Sequence, residues 1–321
     1  MSLPPAIFTV SLDLELHWGV FDHTSTAAFA QRSARTRVAI PRLLSLFEAY
    51  EFGATWATVG ALMHRTGDSL RDAWPFSNPL YDDSALDPTP LARSVSAGHA
   101  AEEHLGGDLV DAVLAAPRQE LGTHTFAHFC CDEDGATPER FDEDLSAAAE
   151  TAKTLGVSLK SLVFPRNQVR GWALNVARDH GVSSYRGTAN HAAYRSGRGS
   201  KQTPQVRAFR LVDSVLPLSG HGEQVVSLDD SGLINVPASR FFRPFSGGRP
   251  GAMLHTRRVC SDIDRVAKSG GLYHLWWHPH NMGGDTDLFI ECTTRVMDRV
   301  DHWRKQGRLH TMTMGEVAES F

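Results

Sequence analysis

The 321-residue chain is short of cysteine: Cys130, Cys131, Cys260 and Cys292 are too few and too irregularly spaced for a disulfide framework or a C-x-x-C metal knuckle. A reducing, cytoplasmic setting is the resulting expectation. Surplus positive charge is missing too, since 32 Lys and Arg stand against 37 Asp and Glu for a net charge of -5. Without a basic surface there is no general attraction to nucleic acid or to an anionic membrane, so neither is an expected partner. No stretch approaches the roughly eighteen uninterrupted apolar residues of a membrane span. The opening MSLPPAIFTVSLDLE has no basic residue ahead of its apolar run and reaches an acidic one at Asp13, which does not fit a secretory signal. Internal repeats and low-complexity tracts are also absent.

What is present is core material. Hydrophobic residues make up 41%, with seven Trp and sixteen Phe, enough for one large core. Apolar runs at 7–14, 53–59, 161–164, 233–236 and 272–277, each followed by polar or Gly/Pro residues, predict buried strands. Segments 39–50, 141–155, 259–268 and 288–305 have helical spacing. Strand then helix, repeated, predicts a parallel α/β fold, read as a single domain over residues 1–321.

Two stretches break the rhythm. Residues 64–101 hold Pro75, Pro79, Pro88 and Pro90 with scattered acids, and predict a long insertion over one rim. A second rim insertion, near 186–230, opens on Arg186, Arg195, Arg198, Lys201, Arg207 and Arg210 with no acid among them. It reads either as a solvated loop or as a lid that clamps a phosphate-bearing substrate.

His124 and His128, in ELGTHTFAHFCC, are spaced to bind one metal from a helical turn or a strand-end loop. Spacing alone is weak, because sixteen histidines also produce the pair His274 and His278. Context separates the pairs. The first follows Leu121 and Gly122 at a strand end, among the hydroxyls of Thr123 and Thr125. In YHLWWHPHN, strand alternation points His274, Trp276 and His278 to one face, with His274 deep in packing and His278 near the end, in the site.

In FTVSLDLELHWG, Asp13 and Glu15 share a strand face, where two carboxylates in an apolar run are unfavourable unless used. The structural alternative is that they anchor Arg or backbone amides. At the C-terminal end of a parallel strand both would project into the same mouth as the histidines. His17 points away and is left out of the site. Cys130 and Cys131 read as packing residues. Trp18, Phe241, Phe242, Trp276 and Trp277 are candidates for a sugar-stacking wall, and Trp18 plus one other are the expected contacts.

The order of these segments resembles the polysaccharide deacetylase family, the NodB-homology group. SLDLELHWG is similar to its first motif, GATWATVG to the following strand, ELGTHTFAH to its histidine motif, SLVFPRNQ to the third and YHLWWHPHN to the last, so the likeness spans most of the chain. It looks closest to the branch whose first motif reads Asp-x-Asp. The resemblance implies a distorted, incomplete (β/α) barrel of about seven parallel strands. It implies that Asp13 is the general base, that Glu15, His124 and His128 hold a divalent metal, foremost Zn2+, and that His278 is the general acid. Arg166 and Asn167, in the altered third motif, would hold charge or substrate. The chain departs from the pattern at Glu15, where the family has Asp.

The expected activity is metal-dependent removal of an N-acetyl group from a sugar or glycan during cytoplasmic assembly of a surface glycan. Two alternatives stand beside it. One is another amide hydrolysis on the same scaffold, by a deformylase or a cyclic imide or ureide hydrolase. The other is a non-catalytic carbohydrate-binding homologue.

Overall fold

A computed structural model of the chain describes residues 5–189, 191–194, 203–243 and 248–321. Arg195, Arg198 and Lys201 of the basic stretch lie outside these residues. The strands are β1 (Ala6–Leu14), β2 (Thr55–Thr58), β3 (Glu120–Thr123), β4 (Ser161–Leu162), β5 (Ser184–Tyr185), β6 (Ser227–Leu228), β7 (Ile234–Asn235), β8 (Arg240–Phe241), β9 (Leu272–Trp277) and β10 (Leu309–Thr311). They form one ten-stranded sheet in the order β6-β7-β5-β4-β3-β2-β1-β9-β8, with β10 beside the start of β1. Among the described pairs only β6 with β7 is antiparallel.

The sheet curls, and a single antiparallel bridge between Gln224 and Leu272 brings the segment before β6 back to β9. The architecture is an incomplete α/β barrel, as expected. Its strand count exceeds the expected seven because β5, β6 and β8 hold only two residues each, too few to leave a pattern in the sequence, whereas β4 and β7 fall in the predicted runs 161–164 and 233–236. Among the described residues no helix is long and apolar enough to cross a membrane.

β1 is buried along almost its whole length because strands and helices cover both of its faces, which explains its continuous apolar run. The helix after it runs from Thr26 to Ala49, capped by the Ser25 hydroxyl, and starts well before the apolar spacing does. Its first half buries Ser33 and Thr36, whose hydroxyls bond the carbonyls of Glu102 and Arg32. The 64–101 stretch is more ordered than its prolines suggest, since it contains helices Gly67–Ala73 and Thr89–Ser96.

A buried carboxylate ties the 214–222 segment, β8 and β9 to the Gly248–Ser269 helix. Asp262 accepts from Arg240 Nε at 3.0 Å, Arg258 Nε at 2.8 Å and Tyr273 Oη at 3.3 Å, and lies 3.1 Å from His221 Nδ1. Removing one charge from a buried network strands the others. Asp262→Asn should therefore lower stability by about 3–5 kcal/mol, read as a shift in the urea midpoint with unchanged slope.

Candidate metal centre

Parallel strands present their C-terminal ends on one side, and the candidate residues gather there. β1 delivers Asp13 within its last turn of pleat and Glu15 just beyond, β3 leads into His124 and His128, β4 into Asn167, β5 into Arg186, and β9 into His278 and His280. The inner face is layered. Ser11 lies lowest: its hydroxyl lies 2.8 Å from His274 Nε2 and accepts from Arg186 at 2.9 Å. His274 Nδ1 bonds the Val236 carbonyl at 3.0 Å, so this histidine is a packing residue, as its depth in the strand predicts.

One layer up, Asp13 is held by a two-pronged ion pair: Arg186 donates through Nη1 at 2.6 Å to Oδ1 and through Nη2 at 2.8 Å to Oδ2. Arg186 also donates to Asn167 Oδ1 at 3.1 Å and stacks on the Trp276 ring at 4.1 Å. This corrects the reading of Arg186 as the head of a phosphate-clamping lid. The guanidinium is buried and its fork is matched to a carboxylate. Of the other described cations, Arg207 is exposed and Arg210 braces its own segment through the Ala193 carbonyl. Burial alone would raise the Asp13 carboxyl, but Arg186, with His124 and His278 behind it, outweighs this and lowers it below its usual value.

Glu15 occupies the top layer among four imidazoles. Its Oε2 lies 3.3 Å from His124 Nε2 and 3.2 Å from His128 Nε2. Its Oε1 lies 3.6 Å from His278 Nε2 and 3.8 Å from His280 Nδ1. Room for the longer Glu side chain comes from Gly19, in the short turn after β1. A Cβ on Gly19 would stand 2.0 Å from Glu15 Cδ.

The histidine loop is fixed by its backbone. Asp144 accepts from the amides of Phe126 at 2.6 Å and Ala127 at 2.9 Å, Thr125 Oγ1 accepts from Phe129 N at 2.6 Å, and His128 takes a positive φ of 56°. A left-handed non-glycine residue is held only where its surroundings over-determine it. His128 is thus presented from a strand-end loop.

These residues fit a divalent cation. His124 Nδ1 donates to the Val163 carbonyl at 2.7 Å, which leaves the Nε2 lone pair facing Glu15. Burial lowers the His128 pKa, favouring the neutral ring. Burial would also raise Glu15, yet His278, His124 and His128 together hold it well below the ordinary carboxylate range. Without an ion the two imidazoles can donate to Glu15, and with their Nε2 atoms deprotonated the same three groups become a ligand set for a cation. Among the described residues, Glu15, His124 and His128 form such a group, with ligand atoms all within 4.8 Å of one another.

His278 Nε2 lies 3.7 Å from Asp13 Oδ2, and with a side chain 24% exposed it is the member of the cluster that meets solvent. Beside it Phe241 and Trp276 pack at 4.6 Å and border a small cavity of about 40 Å³ that also touches Asn167, Thr188 and Tyr194. A larger groove of about 830 Å³ between the Gly248–Ser269 and Thr286–Lys305 helices contains none of these residues.

Trp18 is not part of the wall. It is fully buried, stacked on Trp74 at 6.1 Å, with Nε1 donating to the His104 carbonyl at 2.8 Å. Phe242 and Trp277 are buried too, so Phe241 and Trp276 are the rings left near the mouth. Arg166 is engaged by Asp22 at 2.6 Å and Glu133 at 3.9 Å, and Asn167 serves Arg186. Cys130 and Cys131 are buried packing residues, and burial pushes the Cys130 thiol up to about 12. Sequence reasoning missed Gly19 and His280 and misread Arg186. Arg186 directly follows the short strand Ser184–Tyr185, and Gly19 stands one turn after Glu15.

Filling the Gly19 gap should displace the Glu15 carboxylate. Gly19→Ala is expected to weaken zinc binding by about 10–100-fold in a calorimetric titration, the usual effect of disturbing the groups that orient a ligand. An unchanged affinity would remove Glu15 from the ligand set.

No protein-family model matches the sequence, and no curated protein matches it. Solved structures do. A protein from Mycobacterium smegmatis assigned as a polysaccharide deacetylase aligns with a TM-score of 0.59 at 13% identity, over 100% of this chain and 92% of that one. A second so assigned, from Pseudomonas aeruginosa PAO1, aligns at 0.60 with 9% identity, over 98% and 90%. The allantoinase PuuE aligns at 0.60 with 9% identity, over 99% and 93%. At such identities the likeness is one of fold, and this chain has the fold that these proteins share.

Proposed function

We propose that the chain is a metal-dependent amide hydrolase that removes the acetyl group of an N-acetylated sugar. The observation that carries this reading is the division of labour between two carboxylates of one strand. Glu15 Oε2 faces the Nε2 atoms of His124 and His128, while Asp13 is held in the Arg186 fork, and His278 stands between the two carboxylates, 3.7 Å from Asp13 and 3.6 Å from Glu15. A divalent ion such as zinc, held by Glu15, His124 and His128, would polarise the acyl oxygen and make water easier to deprotonate.

The remaining work falls to the chain's own groups. Asp13 takes the proton of the attacking water, and Arg186 keeps it ionised and oriented. A carboxylate lowered in this way is a weaker base, which the metal's effect on water must offset. His278 gives a proton to the departing amine and regains one from the solvent it touches. Phe241 and Trp276 offer an apolar face to the pyranose C–H surface. The structures from M. smegmatis and P. aeruginosa, both assigned as polysaccharide deacetylases, support the choice of substrate class. A cytoplasmic role in surface-glycan assembly is part of the same reading.

The equal likeness to an allantoinase favours one second reading, hydrolysis of a cyclic ureide or imide by the same groups. Incubating the zinc-loaded protein with a panel of N-acetylated sugars and nucleotide sugars is expected to release acetate. Ring-opened product from a ureide would support the second reading instead, and formate from a formamido sugar would mark a deformylase. Absence of bound zinc together with silence across all three substrate classes when metal is added would favour a non-catalytic carbohydrate-binding homologue.

Asp13→Asn separates the two carboxylates. It is expected to retain zinc and to lose at least about 10²-fold in turnover, the low end for removing a general base. A lower melting temperature should accompany it, because the buried Arg186 charge loses its partner. If the variant also fails to bind zinc, the roles assigned to Asp13 and Glu15 are wrong.

A further inference from the structure

We propose that His280 belongs to the metal centre as a positioning residue, whose Nδ1–H holds the second oxygen of Glu15 so that the first alone faces the metal. The inference rests on the reading of Glu15, His124 and His128 as a metal centre.

The turn Pro279–Gly283 carries the chain away from β9 and stacks the His280 ring on His278, with centroids 5.1 Å apart and planes 24° from parallel. Phe29 meets the other side of His280 edge-on at 5.7 Å. The ring is therefore clamped, and the residue is only 5% exposed. Its Nδ1 is buried with no hydrogen-bond partner among the described residues. Leaving a buried polar atom unpaired costs about 1–3 kcal/mol, so such an atom calls for an explanation.

Glu15 supplies one. Its Oε1 lies 3.8 Å from that nitrogen, about 1 Å beyond a normal N–H···O bond. The two carboxylate oxygens are thereby divided. Oε2 faces His124 and His128, and among the described residues Glu15, His124 and His128 form the compact group. Oε1 faces His278 and His280. His278 is partly exposed and is assigned to proton transfer, which leaves His280 as the permanent partner of Oε1. A carboxylate whose second oxygen is occupied by a donor binds through one oxygen, and the coordination position it does not take stays open for water and substrate. The sequence hides this role because His280 stands just past the strand, where alternation no longer says which way a side chain points.

The test is a zinc titration of wild type, His280→Phe and His280→Asn. The phenyl ring keeps the packing against Phe29 and loses the donor, whereas the Asn amide keeps a donor near the Nδ1 position. His280→Phe is expected to bind zinc about 10–100-fold more weakly, with His280→Asn restoring most of the affinity. With cobalt(II) in place of zinc, the visible absorption of His280→Phe should weaken relative to wild type, as Glu15 closes onto the ion through both oxygens. Unchanged affinity and spectrum in His280→Phe would overturn the proposal. So would a loss in His280→Asn as deep as in His280→Phe, which would make His280 a ligand. If His280→Phe does not fold, His280→Ala takes its place under the same criteria. Wild type that binds no zinc would remove the metal-centre reading and this inference with it, whereas tight binding in wild type and His280→Phe alike sinks this inference alone.

Discussion

A carboxylate withdrawn from water needs a donor or a cation for each of its oxygens. Asp13 and Glu15 sit at the end of one central strand, both almost wholly buried, and answer that need in different ways. Asp13 takes a guanidinium fork from the end of β5, steadied by Asn167 from beyond β4. Glu15 meets four imidazole nitrogens, the nearest at 3.2 Å and the farthest at 3.8 Å. It stands among imidazoles from beyond β3 and β9, at distances that leave space for an ion. The parallel sheet makes both answers possible, because only parallel strands bring their ends, and the side chains just past them, to one mouth. The barrel's incomplete closure leaves His278 in reach of solvent while its neighbours stay dry.

The parts of this arrangement that were legible in the sequence are those that repeat a pattern. β1 and β9 are long enough to alternate, so the shared face of Asp13 and Glu15 and the different depths of His274 and His278 could be read directly. β3 was recognisable from the polar histidine loop at its end. β4 and β7 were visible as the apolar runs 161–164 and 233–236, but the two-residue strands β5, β6 and β8 could not be seen, since their pairing is set by neighbours rather than by their own composition. Arg186 was misread for the same reason: without β5 it looked like one cation of a basic loop. Trp18 was misplaced because the turn after β1 swings it back under the Gly67–Ala73 region, against Trp74 and the His104 carbonyl. The long helix was recognised only where its buried face is apolar. Further back that face is Ser33 and Thr36, and Pro41 interrupts its run of donors.

Glu at position 15 of the candidate metal centre, where the resembling family has Asp, has a local cause. The extra methylene pushes the carboxylate into the space a side chain on Gly19 would fill. Position 15 and position 19 thus form a matched pair within one turn. The longer side chain also carries its second oxygen far enough to meet the turn after β9, a reach that a shorter carboxylate at this backbone position would lack.

The Asp13–Arg186 pair has a consequence for how the chain folds. Its partners are separated by 173 residues, so the entropy of closing a long loop must be met before the contact is gained. Until β5 arrives, Asp13 has no counterion and is more stable hydrated, so the mouth around β1 stays open to water. Closing the barrel through β5 therefore completes the Asp13 half of the site. Glu15, His124 and His128 come from the ends of β1 and β3 and do not depend on that closure.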